Sequence, residues 1–361
     1  MERRYTISAA QFFGMMFVSR VTITIALNAQ YAAGESLLDG ILSYGLAMVV
    51  GFLLALPLWG LCRDYPEATV GELAGRCWGN VGKLVPLCYI AYFVLLNASS
   101  LALFELFLLD TVNPDFSAAL VVAAIVGVAV YGAWRGIETL ARCAACVLVL
   151  LLVGSILVFA LVAQRFRIEN LEPLFQGGMS QLIRGTGLFL SRTSIFADMA
   201  VLLPFVRGRK VLGFSGWIGG TFLFVGTLIL LIAGCLGQYA YTQNFPVYAL
   251  ASITEVRSMQ RLDPIFIGIW MMGLIIKVGC DLYACRVCIF SFRGKKAPAF
   301  WIPLLGAAIF LLGAVTASFL RLQAVLMDTF LWLGLTFLTG FLLPLGLWIS
   351  GRICRRKEEK S

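Results

Sequence analysis

The sequence predicts an all-α polytopic membrane protein with ten membrane-spanning helices. Of its 361 residues, 60% are apolar and only 13% are charged, whereas soluble domains carry about a quarter charged residues. Apolar runs such as 37–61, 140–163 and 326–349 exceed the roughly 20 residues that a helix needs to cross a bilayer. The period-two alternation of a transmembrane β-barrel is absent, so helices, which satisfy their backbone hydrogen bonds internally, are the expected spanning elements.

Five predicted helices occupy the first half of the chain, residues 1–163. The first follows Met1-Glu2-Arg3-Arg4 and continues to Gln30 without a small-x-small cleavage site, so we expect a retained helix rather than a cleaved signal peptide. Four further apolar segments follow it. The predicted helices are α1 8–30, α2 37–61, α3 83–109, α4 116–134 and α5 140–163.

Five more helices are predicted in residues 185–350. An extracytoplasmic loop, 164–184, precedes them, and a basic tail, 351–361, follows them. A second long outer segment, 236–263, lies between two of the helices, and no connection is long enough for a separate soluble domain. The predicted helices are α6 185–206, α7 211–235, α8 264–290, α9 299–320 and α10 326–350.

The distribution of basic residues predicts which side of the membrane each end occupies. With the N-terminus inside the cell, 19 of the 28 Lys and Arg residues fall on cytoplasmic segments, six on outside segments and three within helices. Cytoplasmic segments of membrane proteins carry such an excess. Both termini are therefore expected in the cytoplasm, and the net charge of +9 marks topology rather than a nucleic-acid surface.

The side chains that commonly run catalysis or hold metals are missing or scattered. The chain has no histidine, and its ten cysteines are spread through or beside the predicted helices. Two C-x-x-C pairs, Cys143/Cys146 and Cys285/Cys288, lack the further thiols or histidines of a zinc site. We therefore expect no enzyme activity, no metal site and no bound cofactor.

A short internal repeat relates the two halves. Residues 17–23 (Phe-Val-Ser-Arg-Val-Thr-Ile) match residues 189–195 (Phe-Leu-Ser-Arg-Thr-Ser-Ile) at Phe, Ser, Arg and Ile, with an offset of 172 residues. The same offset aligns Glu105 of α3 with Lys277 of α8. Two five-helix halves result, and because five is odd, the second half is inverted relative to the first. Many secondary transporters have this plan, with discontinuous helices and a substrate at mid-membrane.

The repeated segments are poor places for uninterrupted helix. Residues 21–25 are a β-branched run, and the hydroxyls of Ser191, Thr193 and Ser194 can bond locally to the backbone. We therefore predict that α1 and α6 are both discontinuous in these segments. The free N–H groups and positive dipole end of a half-helix suit a carboxylate ligand.

Six charged side chains fall inside the predicted helices, and their signs balance. They are Arg20, Arg192 and Lys277 against Glu105, Asp198 and Asp281. A lone charge at the bilayer centre costs at least about 2.5–3.5 kcal/mol, so these groups should pair or line water; Lys277 and Asp281, four residues apart, can meet on one helix face. Two interpretations stay open: structural ion pairs that hold the bundle, or cations that receive an anionic ligand.

Motifs around α6 and α8 resemble those of a known family. They are Asn170-Leu171-x-Pro173 with Gly177-Gly178, Phe196-Ala197-Asp198 with Pro204, Phe245-Pro246-x-Tyr248-x-Leu250, Arg261-Leu262-Asp263, Ile269-Trp270, Ile276-Lys277 and Tyr283-Ala284. With the ten-helix length, these make the chain similar to the B subunits of bacterial spore germinant receptors. That family is a spore-permease branch of the amino acid–polyamine–organocation superfamily.

The resemblance implies the leucine-transporter-type fold and a small nutrient, commonly an amino acid, bound between α1, α3, α6 and α8. It also implies A-type and C-type partner subunits in the spore inner membrane. Residues 19–22 replace the family's glycine-containing segment in α1, and Ala197-Asp198 replaces a Gly-Glu-like pair, so the identity of the ligand does not carry over. The candidate ligand-binding residues are Ser19, Arg20, Val21, Thr22, Tyr92, Leu190, Ser191, Arg192, Ser194, Asp198, Ile276 and Lys277, with Glu105 and Asp281 as pairing charges.

Two functions fit these expectations. The first is a germinant-sensing membrane subunit, whose ligand shifts the bundle between two arrangements that the partner subunits read. The second is an amino acid permease, which uses the same two arrangements for alternating access, and fold alone does not separate the two. A fixed cation at Lys277 could replace a coupling sodium ion, so the alternative is a sodium-independent permease.

Overall fold

The computed structural model describes residues 6–25, 37–111, 117–253, 263–293 and 300–358. Helices account for nearly all of these residues. Parts of several predicted segments lie outside the described residues: 26–30 of α1, 116 of α4, 254–262 of the second outer segment, 299 of α9 and 359–361 of the tail.

Nine helices in the described part of the chain are long and apolar enough to cross a membrane, which confirms a polytopic α-helical membrane protein. The helix at the position of α1 has 17 residues, so the count of ten spans stays a prediction. The bounds are α1 Ala9–Ile25, α2 Asp39–Leu54 with Leu56–Asp64, α3 Leu84–Thr111, α4 Ala118–Arg135, α5 Ile137–Val162, α6 Gly178–Leu190 (α6a) with Ile195–Leu202 (α6b), α7 Lys210–Leu236, α8 Asp263–Arg293, α9 Trp301–Ser318, and α10 Thr329–Phe337 with Leu343–Glu358.

Short helices connect the long ones. A π-helical segment, residues 338–342, joins the two parts of α10. Val70–Trp78, between α2 and α3, begins with a capping box: the Thr69 hydroxyl accepts from the Glu72 N–H, and the Glu72 carboxylate accepts from the Thr69 N–H. The other connecting segments are helices Pro246–Ser252 and Leu320–Leu326, and 3₁₀ turns Val81–Lys83, Ala163–Arg165, Ile168–Asn170, Leu203–Phe205 and Gly237–Thr242.

Two short strands show that α1 and α6 run in opposite directions. Ile7–Ser8 directly precedes α1, and Val206–Arg207 follows α6b. The strands are parallel, and Ile7 pairs with Val206. The start of α1 therefore lies beside the end of α6, as an inverted repeat requires of its first helices.

Helix packing is reciprocal between the two halves. Helix α2 packs on α6a as α7 packs on α1, and α9 packs on α3 as α4 packs on α8. Similarly, α5 packs on α1 as α10 packs on both parts of α6. Exchanging the two halves converts each contact into its counterpart. These contacts support the five-plus-five plan, and the repeat itself stays a prediction.

The predicted discontinuity is present in α6 and absent from the described part of α1. Helix α6 is interrupted between Leu190 and Ile195, whereas α1 is continuous from Ala9 to Ile25. The prediction that α1 unwinds at its β-branched run is therefore wrong. Both threonines of that run donate to the carbonyl four residues back, Thr22 to Val18 at 2.8 Å and Thr24 to Arg20 at 2.9 Å. Their hydroxyls are satisfied without breaking the helix.

Candidate functional site

The interruption of α6 holds one residue in a strained backbone conformation. Arg192 lies between α6a and α6b with a φ of 53°. A left-handed backbone is uncommon for residues other than glycine and costs energy that the surrounding structure must offset. The break therefore depends on side chains from neighbouring helices.

Arg20 of α1 holds the two sides of this break. Its guanidinium donates to the Thr193 hydroxyl at 2.6 Å and to the Phe189 carbonyl at 2.7 Å. It also lies over the Tyr44 ring, 5.4 Å from the centroid, and is only 3% exposed. Arg20 forms no ion pair within the described residues. Its contacts are structural, with the backbone of α6 as the main partner.

Tyr92 of α3 fixes the break from the opposite side. Its hydroxyl donates to the Thr193 carbonyl at 3.0 Å and lies 3.2 Å from the hydroxyl of Thr336 on α10. One turn earlier, Tyr89 donates to the Thr339 carbonyl at 2.6 Å. The interrupted segment is therefore tied to α1, α3 and α10 together.

A cavity lies between α1, α3, the break of α6 and α8. In this arrangement the cavity is narrow, with an open volume of about 10 Å³, room for about one water molecule. Among the described residues of its lining, Arg192 is the only charged one. The lining residues are Thr22, Ile23, Ser99, Ser100, Leu103, Arg192, Trp270 and Leu274.

The polar groups of this cavity can bind an anion and further polar atoms. Arg192 lines the cavity with its positively charged guanidinium group. It also donates to the Leu326 carbonyl and approaches the Met327 sulfur, both at 3.2 Å. The hydroxyls of Ser99 and Ser100 both donate to the Leu96 carbonyl, which leaves their oxygens able to accept. The cavity thus combines a cation with several acceptor oxygens.

Two of the predicted ligand-binding residues, Thr22 and Arg192, line this cavity. Arg20 and Tyr92 hold the break beside it. The remaining ones are buried in the surrounding helix packing: Ser19, Val21, Leu190, Ser191, Ser194, Asp198, Ile276 and Lys277.

Sequence reasoning missed three polar or aromatic residues of the lining. Ser99 and Ser100 are adjacent hydroxyl residues in the apolar α3, and this pair is a pattern from which a polar site could have been predicted. The sequence analysis names Trp270 only within a family motif. In the structure its indole N–H donates to the Thr22 carbonyl at 3.2 Å and so joins α8 to α1 at the cavity.

A closed polar network lies next to the cavity on α3 and α8. The Lys277 ammonium donates to Asp281 Oδ2 at 3.0 Å and to Asn97 Oδ1 at 2.8 Å, and Asn97 Nδ2 donates to the same Asp281 oxygen at 2.9 Å. All three side chains are fully buried. The predicted contact of Lys277 with Asp281 is confirmed, and Asn97 is a partner that the sequence analysis missed.

Asp198 of α6b faces this network. Its polar neighbours are the Ser194 hydroxyl and the Asp281 carboxyl, and oxygens of the two aspartates lie within 4.8 Å of each other and of the Cys280 sulfur. Among the described residues, neither oxygen of Asp198 has a well-formed hydrogen bond. The Lys277 ammonium binds Asp281 Oδ2, so a metal ion at this group would place a second positive charge beside that cation.

Glu105 is separate from these contacts. It is half-buried on α3, and its Oε2 atom has no hydrogen-bond partner in the described part of the chain. The Lys277 ammonium, its counterpart by the 172-residue offset, binds Asn97 and Asp281 instead. The offset therefore relates equivalent positions without bringing these two side chains together.

Comparison with known proteins places these features in a family. The sequence model described as spore germination protein, the spore permease family, matches residues 6–318. The chain belongs to this spore permease family. The match covers all four helices that line the cavity, so the cavity is built within the family's shared region.

Other members of the spore permease family are similar along much of their length. "Spore germination protein KB" of Bacillus subtilis (strain 168) is 25% identical over 368 aligned positions, which cover 98% of this chain and 97% of that protein. "Spore germination protein YndE" of the same organism is 21% identical over 295 positions, 78% of each chain. The relation to spore germination proteins and the membrane class predicted from sequence are thereby confirmed.

Proposed function

We propose that this protein is the nutrient-sensing membrane subunit of a spore germinant receptor and binds a small ligand, most simply an amino acid, in the cavity at the α6 break. The observation that carries the proposal is Arg192, the one charged side chain among the described residues of the cavity lining. Membership of the spore permease family and relatives named as spore germination proteins support it. The expected location is the spore inner membrane, with both termini in the cytoplasm.

The ligand chemistry follows from the groups around the cavity. A carboxylate pairs with the Arg192 guanidinium, which offers planar, charge-assisted donors. The described residues of the lining include no carboxylate to pair with an amino group, so this group is bound by oxygens of Thr22, Ser99 or Ser100. Trp270, Leu103 and Leu274 provide the apolar wall for a side chain. A small amino acid satisfies each of these surfaces once the lining side chains move apart, because the cavity as it stands has room for about one water molecule.

Ligand binding acts through the break in α6. Arg192 donates to the Leu326 carbonyl, next to α10, while lining the cavity. A ligand that draws this guanidinium inward changes the contact with the α9–α10 connection and favours another arrangement of α6. A-type and C-type receptor subunits then read that arrangement.

A sodium-independent amino acid permease is the second candidate. The observation that favours it is the Lys277 ammonium, a fixed cation held between Asn97 and Asp281 beside the cavity. Such a charge supplies locally what a coupling sodium ion supplies in other transporters. Uptake of radiolabelled amino acids by the protein alone in proteoliposomes would favour the permease; adjacent genes for A-type and C-type subunits would favour the receptor.

The germinant response of spores tests the site. We expect Arg192→Ala to abolish the response to amino acid germinants while the protein remains in the membrane, because the cation that binds the carboxylate is lost. Arg184→Ala is the matched control, since Arg184 is exposed on α6a, and should respond as the unsubstituted protein does. An unchanged germinant concentration dependence in Arg192→Ala spores would place the ligand elsewhere.

A further inference from the structure

We propose that Asp198 and Asp281 form a proton-binding site in the interior of the helix bundle. The site holds one proton shared between the two carboxyl groups. It is distinct from the nutrient cavity, and its occupation by a proton does not depend on the proposed ligand. The shared proton holds α6b against α8, the packing that the structure shows.

The geometry favours one proton shared between the two aspartates. Both side chains are 0% exposed, and their oxygens approach within 4.8 Å. In the described part of the chain, both oxygens of Asp198 and the Oδ1 atom of Asp281 lack a well-formed hydrogen bond. Two ionised carboxylates this close repel each other even with the Ser194 hydroxyl beside Asp198, whereas one shared proton removes the repulsion.

Charge balance leads to the same count of one proton. Within the described residues, Lys277 is the one cation that contacts the pair, so two ionised aspartates would leave one uncompensated negative charge in a fully buried place. Such a charge is costly inside a membrane protein. One proton makes the group of Lys277, Asp198 and Asp281 neutral. A metal ion would add positive charge beside an ammonium group and would need more oxygen ligands than the free ones here.

In the described part of the chain, the neighbouring elements bring no second cation to the pair. The π-helical segment of α10 has no titratable residue. Other charged groups on nearby elements have partners of their own: Arg20 binds the α6 backbone, Asp64 accepts from Trp348 and Arg352, and Glu72 accepts from Thr69. The titratable groups that face Asp198 are Lys277, Cys280, Asp281 and Cys285 of α8 and Tyr92 of α3.

The position of the pair links the proton to the break. Asp198 is in the first turn of α6b, directly after the interruption. Asn97 and Lys277 each lie three residues from a cavity-lining residue, Ser100 and Leu274, so the proton site is one helical turn from the cavity. Loss of the proton drives α6b away from α8. Raising the pH therefore shifts the population away from the arrangement in which the two helices touch.

Infrared spectroscopy tests the proton directly on the full chain in lipid nanodiscs. The background is Glu105→Gln, because Glu105 is another carboxyl group with an unpartnered oxygen. We expect a protonated-carboxyl C=O band at neutral pH that disappears in Asp198→Asn. Asp39→Asn is the matched control and should keep the band, since buried Asp39 already accepts from the Phe175 and Gly177 N–H groups.

The same spectra can overturn the proposal. Absence of the band in the Glu105→Gln protein, or its survival in Asp198→Asn, would exclude a shared proton. Asp281→Asn provides a second variant with the same expected loss, should Asp198→Asn fail to accumulate in the membrane. Loss of the band on adding Na⁺ or K⁺ at constant pH would show that a metal ion takes the place of the proton.

Discussion

Arg20 and Arg192 occupy equivalent positions of the repeated segment and have different partners. The Arg20 guanidinium donates to the Phe189 carbonyl and the Thr193 hydroxyl. Arg192 lines the cavity. One arginine thus fixes the break and the other presents a charge inside it. The difference arises because α1 stays helical at Arg20 while α6 is interrupted at Arg192.

Substitution of Arg20 by lysine separates these two roles. An ammonium group keeps the charge but lacks the fork that reaches both acceptors, so we expect Arg20→Lys to lower the free energy of unfolding by about 1.5–3 kcal/mol. Discrimination between amino acid carboxylates and their amides should be unchanged. Thermal unfolding in nanodiscs measures the first effect and ligand binding the second.

Arg286→Lys is the control for this substitution. Arg286 also donates to a carbonyl, that of Trp134 at 3.4 Å, but in a solvent-accessible contact, so its replacement should change stability little. A loss of carboxylate discrimination in Arg20→Lys would mean that Arg20, rather than Arg192, receives the ligand.

For individual residues, the sequence identifies important side chains more reliably than it identifies the groups that those side chains contact. Buried charges in apolar helices are conspicuous, and the spacing of Lys277 and Asp281 is enough to predict their contact. Asn97, Ser99 and Ser100 are weaker signals because neutral polar residues in membrane helices often bond only to their own backbone. Their places in the network and the cavity depend on helices that are distant in sequence.

Local helix propensity correctly predicted the break in α6 and wrongly predicted a break in α1. In α1 the threonine hydroxyls bond within the helix, and a β-branched run only slightly disfavours helix. In α6 the freed groups have partners on other helices, Arg20 for the Phe189 carbonyl and Tyr92 for the Thr193 carbonyl. Tertiary contacts therefore decide which helix is broken.

Close packing against α10 holds α6b in place. A Cβ atom added at Gly340, in the π-helical segment, would lie 2.6 Å from the Phe196 Cβ atom, so α6b would have to move. We expect Gly340→Ala to lower the free energy of unfolding by about 1–3 kcal/mol, measured by thermal or denaturant unfolding in nanodiscs, and to change the germinant concentration needed by spores.

Gly334→Ala on the same helix provides the comparison. A Cβ atom there meets nothing within 4 Å, and alanine favours helix over glycine by up to about 1 kcal/mol, so this variant should be as stable as the unsubstituted protein or slightly more so. Equal stability of the two alanine variants would show that the contact of α10 with α6b does not constrain the break.

The overall architecture depends on composition, on the distribution of charge and on the reciprocal packing of the two halves. Apolar length predicted the membrane class and most helix bounds, since a helix must cover a fixed thickness of hydrocarbon. The short connecting helices and the pairing of Ile7 with Val206 carried no comparable signal. They depend on how the two halves meet rather than on local sequence.

Labelling from one side of the membrane tests the predicted orientation. Lys83 precedes α3 on the expected cytoplasmic side, and Glu169 lies on the expected outer side; both are exposed. In a cysteine-free background, a membrane-impermeant maleimide should label Glu169→Cys in intact cells and Lys83→Cys only after permeabilisation. The reverse pattern would invert the topology. Labelling of both positions in intact cells would contradict the three predicted spans between them, because an odd number of crossings places the two positions on opposite sides of the membrane.

The central claim is that Arg192 binds the carboxylate of a small ligand in the cavity, and amino acid binding to the full chain in nanodiscs tests it most directly. A panel of L-amino acids and their carboxamides is compared on the unsubstituted protein, Arg192→Ala and the control Arg184→Ala. We predict that at least one amino acid binds, and that its carboxamide or the Arg192→Ala substitution weakens binding by about 1.5–3 kcal/mol, roughly 10- to 150-fold. Equal affinity of acid and amide, or of Arg192→Ala and the unsubstituted protein, would contradict the claim.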